Sequence, residues 1–335
     1  MTQSTVKTRR QFLSTAGALS VAASAVALPL SSRAQVSGNP LKILIGWPAG
    51  GLTDTVARVL AEKLGAELKR TVIVENRAGA GGQIGTTLFK ALPPDGETVQ
   101  LASINEVMMV PITYKKVAYN VERDLLPVSH VAEFPFVIAT SAQGPATLAQ
   151  YVEWAKRNPN EMSIGLAGNA TPSYFQAILL GNQIGVKPNL VPYLGGAPLL
   201  TALAGGQISA AMNAFGPDMI EMHRSGRTRV IGITGDQRST HPQFTGVPTF
   251  TEAGLPTIPS GWFGLFLPAG AKPSAVQTWQ QALHVVLASD EIRTRFADFG
   301  LVPRATNSQS LTETMRRDTA VWTDIVKRTG FELIG

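Results

Sequence analysis

One stretch constrains the fold more than any other: Leu41–Arg58, LKILIGWPAGGLTDTVAR. An apolar run (Leu41, Ile43, Leu44, Ile45) stops at Trp47-Pro48, turns through Gly50-Gly51 and resumes with helical spacing. A strand, a glycine turn and a helix in that order put the first free N–H groups of the helix at the strand's carboxyl end. Those groups lack intrahelical partners and lie at the positive end of the helix dipole, so they favour an anion. Two glycines let a ligand approach the backbone. The plainer alternative is an ordinary strand-to-helix turn with Thr53 as N-cap and Asp54 in the first turn.

The net charge of +6 over 335 residues is concentrated in the leader. Residues 1–34 hold Lys7, Arg9, Arg10 and Arg33 and no acid, which leaves 25 of the 29 basic groups against 23 acids. A balance of about +2, with no Lys/Arg-rich run, argues against nucleic acid as a partner. Thr8-Arg9-Arg10-Gln11-Phe12-Leu13 resembles a twin-arginine export signal. Ala16–Leu30 is apolar, and Ser32-Arg33-Ala34 reads as a small-x-small cleavage site. The apolar stretch is short for a membrane span. The expectation is an export signal over 1–34 and a soluble periplasmic protein. With no cysteine, disulfides, thiolate metal sites and lipidated cysteines are excluded.

The pattern of the opening recurs along the chain. A helix over about Thr53–Lys69 and a strand Thr71–Val74 precede Asn76-Arg77-Ala78-Gly79-Ala80-Gly81-Gly82-Gln83-Ile84-Gly85. This segment imitates a dinucleotide fingerprint, but the third glycine falls one residue late and no acid ends a following strand at the expected distance. A glycine-rich loop opening a helix is the better reading. A strand Thr98–Ser103 ends in Ser103-Ile104-Asn105. Tyr114–Asp124 is irregular, Val128–Ala132 and Phe136–Thr140 read as short strands, and Thr147–Asn158 reads as an amphipathic helix. In the second half a strand Met162–Ala167 meets Gly168-Asn169-Ala170-Thr171-Pro172-Ser173 and a helix. Strand Leu190–Tyr193 meets Gly195-Gly196 and another helix, and strand Ile208–Ala214 meets Gly216-Pro217-Asp218. Strands at Val230–Thr234 and Trp262–Leu267 and three closing helices (Ser274–Leu287, Asp290–Phe299, Leu311–Lys327) complete the pattern. Alternating strands and helices predict parallel βαβ units in an α/β protein, two lobes facing a cleft.

These segments also carry a family likeness. Ala49-Gly50-Gly51-Leu52-Thr53-Asp54, Val74-Glu75-Asn76-Arg77-Ala78-Gly79-Ala80-Gly81-Gly82, Pro94-Asp95-Gly96, Val191-Pro192-Tyr193-Leu194-Gly195-Gly196-Ala197-Pro198 and Val247-Pro248-Thr249-Phe250-Thr251-Glu252-Ala253-Gly254 occur in one order. Together they resemble the Bug family, the TctC-like extracytoplasmic solute-binding proteins of tripartite tricarboxylate transporters. The resemblance implies a type 2 periplasmic-binding-protein fold, two α/β domains joined by two crossing strands near Phe134–Thr140 and Ser260–Leu267. Domain 1 is then expected over 35–137 and 265–335, and domain 2 over 138–264. It also implies two loops acting as pincers on a small carboxylate. The first maps onto Trp47–Asp54, with Trp47, Ala49, Gly50, Gly51, Thr53 and Asp54 as candidate contacts, and the second onto Gly168–Ser173, with Gly168, Asn169, Ala170, Thr171 and Ser173. Ser103 and Asn105, Phe134 at the first crossing, Tyr193, Gly195 and Gly196, and Asn213 and Asp218 complete the candidate ligand-binding set.

Against that family pattern, Ala49 stands where proline is usual and Trp47 where phenylalanine is common. Tyr174, Leu194 and Ala167 replace a frequent histidine, lysine and serine. These changes make the second-domain pocket less polar and tilt the expectation toward an aromatic or apolar-tailed carboxylate.

Catalytic chemistry finds little support. No G-x-S-x-G or H-E-x-x-H occurs, and His130, His223, His241 and His284 lack metal-ligand spacing, which assigns them to surface or turn positions. Asp54 suits a structural role at the head of its helix, pairing with Arg58 four residues on. The sequence therefore predicts a non-enzyme without cofactor or metal. It is expected to be a monomer that captures a dicarboxylate, aromatic carboxylate or related solute and delivers it to membrane transporter subunits of the TctA/TctB kind. A ligand-loaded sensor for a membrane kinase is the alternative, which sequence does not separate.

Overall fold

The computed structural model describes residues 39–335, and the export-signal reading of 1–34 lies outside them. β1 (Leu41–Ile45) runs into α1 (Leu52–Glu67), then β2 (Val72–Asn76), a glycine-rich turn, α2 (Gln83–Phe89) and β3 (Thr98–Ser103). A single π-helical turn, Asn105–Met109, leads to α3 (Val110–Thr113), α4 (Val121–Asp124) and the ten-residue β4 (Leu125–Phe134). β5 (Phe136–Ser141), α5 (Leu148–Arg157), β6 (Ser163–Leu166), α6 (Pro172–Ile184) and β7 (Asn189–Pro192) follow. Next come α7 (Gly196–Ala204), β8 (Ala210–Ala214), α8 (Pro217–Arg224) and β9 (Thr228–Ile233). β10 (Gly261–Pro268), α9 (Pro273–Ala288), α10 (Asp290–Asp298), β11 (Val302–Pro303) and α11 (Ser308–Arg328) close the chain.

The strands form two sheets. One has the order β11-β4-β10-β3-β1-β2, the other β7-β6-β8-β5-β9. The expected βαβ units are present, with β1 parallel to β2 and β3, and β6 parallel to β7 and β8. The sheets are nevertheless mixed, because β10 runs antiparallel to β3 and β4, and β5 runs antiparallel to β8 and β9. Among the described residues the chain changes sheets twice. Pro135 alone separates β4 in the first sheet from β5 in the second, and the return lies between Ile233 and Gly261. Proline at the first switch has no N–H to donate to either ladder, which suits a point where pairing changes partner.

Burial follows the pattern of sheets covered on both faces. All eight residues of β10 are buried, as its position inside the first sheet requires. The second sheet lies between two apolar clusters, one around Leu199, Phe215 and Phe244 and the other around Tyr151, Leu180 and Phe250. β4 extends well beyond the expected Val128–Ala132, since pairing along β10 carries Pro127 and Glu133 into the ladder. This also corrects the reading of His130. It is buried in β4, its ring edge-on to Trp262 at 5.1 Å, and burial pushes its pKa down to about 4.

Candidate functional site

The turn between β1 and α1 is held rigid by Asp54. Its carboxylate accepts from the Gly50 N–H (3.0 Å), from Arg58 Nε (2.8 Å) and Nη2 (2.9 Å), and from Asn76 Nδ2 (2.9 Å). The same Asn76 amide donates to the Trp47 carbonyl at 3.1 Å, tying the start of the turn to its end. Burial alone would raise the Asp54 pKa, but the Arg58, Gly50 and Asn76 hydrogen bonds outweigh it and hold the group below its ordinary value. Gly51, not Thr53, is the N-cap of α1, and Thr53 is buried in the first turn. The first-turn N–H groups of α1 therefore face forward from a braced loop.

Three more helices begin around the same space. Thr171 is the N-cap of α6, Gly195 of α7 and Gly216 of α8. With α1, four helix N-termini converge on one cavity of about 150 Å³. Trp47, Ala49, Gly51 and Thr53 line it from the first loop, with Ser103 and Asn105 from the end of β3 and Phe134 behind them. Thr171, Ser173, Gly195, Gly196, Asn213 and Asp218 line the other side. The positive ends of four helix dipoles, with no Lys or Arg on the wall among the described residues, give an anion-favouring site.

Polar groups at the wall await partners. Asn105 Oδ1 and Thr171 Oγ1 are buried without a hydrogen bond. A buried orphan of this kind costs about 1–3 kcal/mol, so these atoms point to a bound molecule that completes them. Thr171 caps α6 by position only and makes no side-chain capping bond, which leaves its hydroxyl free for the cavity.

The rim is closed by cross-sheet contacts at glycines. A Cβ built on Gly195 (φ +100°) would lie 2.9 Å from Pro48 Cγ, and one built on Gly216 would lie 2.9 Å from Leu52 Cδ1. Pro48 and Leu52 flank the β1–α1 turn, whereas Gly195 and Gly216 follow strands of the second sheet.

Six of the candidate residues do not line this cavity. Gly50 spends its N–H on Asp54, and Asp54 is saturated by its partners. Gly168 lies beneath the Trp47 ring, where a Cβ would sit 3.9 Å from Cη2. Asn169 is exposed and folds back to accept from the Ala170 N–H, while Ala170 is buried in the core. Tyr193 packs behind the wall against Gly165. Tyr174 also turns away, edge-on to Phe175 and Phe331, so its replacement of a histidine leaves the cleft's polarity untouched. Leu194 and Ala167 do line the cavity.

The candidate contacts left out Pro48, Leu52 and Pro172, which fall inside the two loop spans, and Ile104, Phe136, Ala197, Pro198, Ala214 and Phe263 elsewhere on the wall. Phe136 adjoins the Pro135 switch, and Leu52 directly follows the glycine turn, which were the available signals. The sequence reading also missed Glu106. This side chain lies fully buried beneath Ser103, whose N–H (3.1 Å) and hydroxyl donate to Oε2, while Oε1 has no partner. Burial pushes its pKa up to about 7 despite those donors and the nearby Trp47 indole. The glycine-rich turn packs over it. A Cβ on Gly82 would sit 2.4 Å from Glu106 Cγ, and the Gly81 carbonyl accepts from Asn105 Nδ2 at 2.6 Å. These glycines position Asn105 and cover Glu106, which accounts for the failed dinucleotide fingerprint. Among the described residues no cluster of three or more His, Asp or Glu is placed to hold a metal, and no helix is long and apolar enough to cross a membrane.

Residues 56–331 match the family described as the tripartite tricarboxylate transporter family receptor, TctC. The chain belongs to this receptor family. A fellow protein, BugT of Bordetella pertussis, is 31% identical over 316 residues, 93% of this chain and 96% of that one. The solved periplasmic binding protein BugD superposes with a TM-score of 0.81 at 27% identity, covering 88% of this chain and 98% of its own. MatC from Rhodopseudomonas palustris, solved with bound malate, superposes with a TM-score of 0.78 at 26% identity, covering 86% and 98%. Receptors of the TctC family are solute-binding proteins, and the two sheets with their two switches are the two-lobed architecture of periplasmic binding proteins.

Proposed function

We propose that this TctC-family receptor is exported by its N-terminal segment and captures a small organic carboxylate between its two lobes. It then delivers the solute to the membrane subunits of a tripartite tricarboxylate transporter. A dicarboxylate, an aromatic carboxylate or a related acid falls within this class, and no step of it needs a cofactor or catalysis. The observation that carries the reading is the convergence of four helix N-termini on a cavity with orphaned donors and acceptors and no cation. Malate bound to MatC supports the solute class by kinship. Only the closed arrangement offers both walls to one ligand, so binding draws the lobes together by the difference in affinity between open and closed forms.

A thermal-shift screen of mono-, di- and aromatic carboxylates names the solute, and calorimetry measures it. Thr171→Ala combined with Ser173→Ala is expected to weaken binding by about 5- to 150-fold. The melt of the unliganded protein should stay close to wild type, because Thr171 makes no capping bond. Unchanged affinity in this variant would remove the second wall from the site.

A further inference from the structure

The only ionisable carboxyl, amine or imidazole side chain on the cleft wall among the described residues belongs to Asp218. It sits in the first turn of α8, where one carboxylate oxygen accepts from the Met219 N–H at 2.9 Å. The other oxygen hangs over bare backbone. A Cβ on Gly196 would come within 2.5 Å of Asp218 Oδ2 and 3.1 Å of Asn213 Nδ2, so acid and amide flank one spot that only glycine leaves open. No Lys, Arg or His among the described residues pairs with Asp218, in contrast to Asp54, which Arg58 neutralises. Burial raises the Asp218 pKa, the behaviour of a carboxylate that lacks a cationic neighbour.

We propose that Asp218 is the specificity-determining residue of this cleft and reads a protonated amine or comparable hydrogen-bond donor at the end of the solute remote from its carboxylate. This rests on the carboxylate reading above and narrows it. A second carboxylate brought beside Asp218 meets a like charge with no cation to offset it, which disfavours dicarboxylates. An ammonium there pairs with the one carboxylate side chain of the wall among the described residues. Phe134, Phe136 and Phe263 supply an apolar surface for the methylene chain or ring between the two ends. The solute class is therefore a donor-bearing monocarboxylate, an ω-amino acid being the simplest form.

Calorimetry on the full mature protein tests this with three matched series. These are the ω-amino acids from γ-aminobutyrate to ε-aminocaproate, the dicarboxylates from succinate to adipate, and the plain acids from butyrate to caproate. The wild type should prefer an ω-amino acid over the dicarboxylate of similar length by about 10- to 150-fold. Asp218→Asn keeps an acceptor for the Met219 N–H and should erase that preference, bringing the ω-amino acid and the dicarboxylate of similar length within about threefold of each other. A dicarboxylate binding the wild type as tightly as its amino counterpart overturns the proposal, and so does an Asp218→Asn variant that weakens all three series equally. If neither these acids nor the aromatic carboxylates of the wider screen bind, the carboxylate reading itself fails. If plain acids bind without an amine preference, only the role of Asp218 fails.

Discussion

Gly216→Ala isolates the closure of the cleft from the stability of either lobe. Gly216 has φ −164° and ψ 178°, extended backbone that alanine adopts without strain. The added Cβ would lie 2.9 Å from Leu52 Cδ1, 3.2 Å from its Cβ and 3.3 Å from its Cγ. Leu52 opens α1 on the first sheet and Gly216 caps α8 on the second, so the collision exists only when the lobes meet. Overpacking of this kind costs about 1–3 kcal/mol. The Leu52 methyl can swing, but the contacts at Cβ and Cγ require a backbone shift, which places the cost near 1 kcal/mol for alanine and higher for valine. Affinity for the carboxylate named by the screen should then fall by about five-fold with alanine and more with valine. The melt of the unliganded protein should change little, since the N-cap preference for glycine over alanine opposes the reduced freedom of the unfolded chain. Leu52→Ala in the same chain removes the contacts at Cδ1 and Cγ, leaving the one at Cβ, and should restore part of the lost affinity. Equal affinity in wild type and Gly216→Val would refute the closure argument, as would a loss that Leu52→Ala does not rescue.

Two further perturbations test the framework under the site. Asp54→Asn loses the charge-assisted pairing with Arg58 and should cost about 1–3 kcal/mol of stability at neutral pH. Because the folded-state pKa is lowered, the wild-type advantage is present above the ordinary carboxylate pKa and fades as pH falls through the lower folded value, which thermal melts in acid would show. Glu106 carries the opposite sign. Its folded pKa of about 7 lies above the ordinary value of 4.5, so the folded protein holds the extra proton between them and wild type loses stability as pH rises through that window. Glu106→Gln should therefore match wild type near the lower end of the window and exceed it by about 1–3 kcal/mol above its upper end. A pH-independent difference between the two melts would contradict the burial argument.

Much of this architecture is local and so was open to sequence reading. The apolar run Leu41–Ile45, the glycine turn and the periodicity of α1 mark a strand, turn and helix without tertiary information, and the same logic located Thr171, Ser173, Gly195 and Gly196 on the wall. What stayed hidden is the direction each loop residue faces. Gly50 and Gly51 are adjacent, yet one N–H turns inward to Asp54 and the other residue opens α1 into the cavity. Asn76, 22 positions from Asp54, decides that geometry from another strand. Tyr174 looked like a pocket residue because it heads a helix, but Phe331 near the far end of the chain draws it into the core. Glu106 was invisible for a related reason: an acid in an apolar stretch reads as exposed until Ser103, Gly46 and Gly82 are seen to enclose it.

The most direct test of a cleft built from helix N-termini is a calorimetric titration of the best carboxylate beside its primary amide. The two differ little in shape and chiefly in charge. The arrangement predicts a single bound carboxylate and an amide weaker by roughly tenfold or more, since the helix dipoles favour the anion. An amide that binds as tightly as the acid would contradict the account.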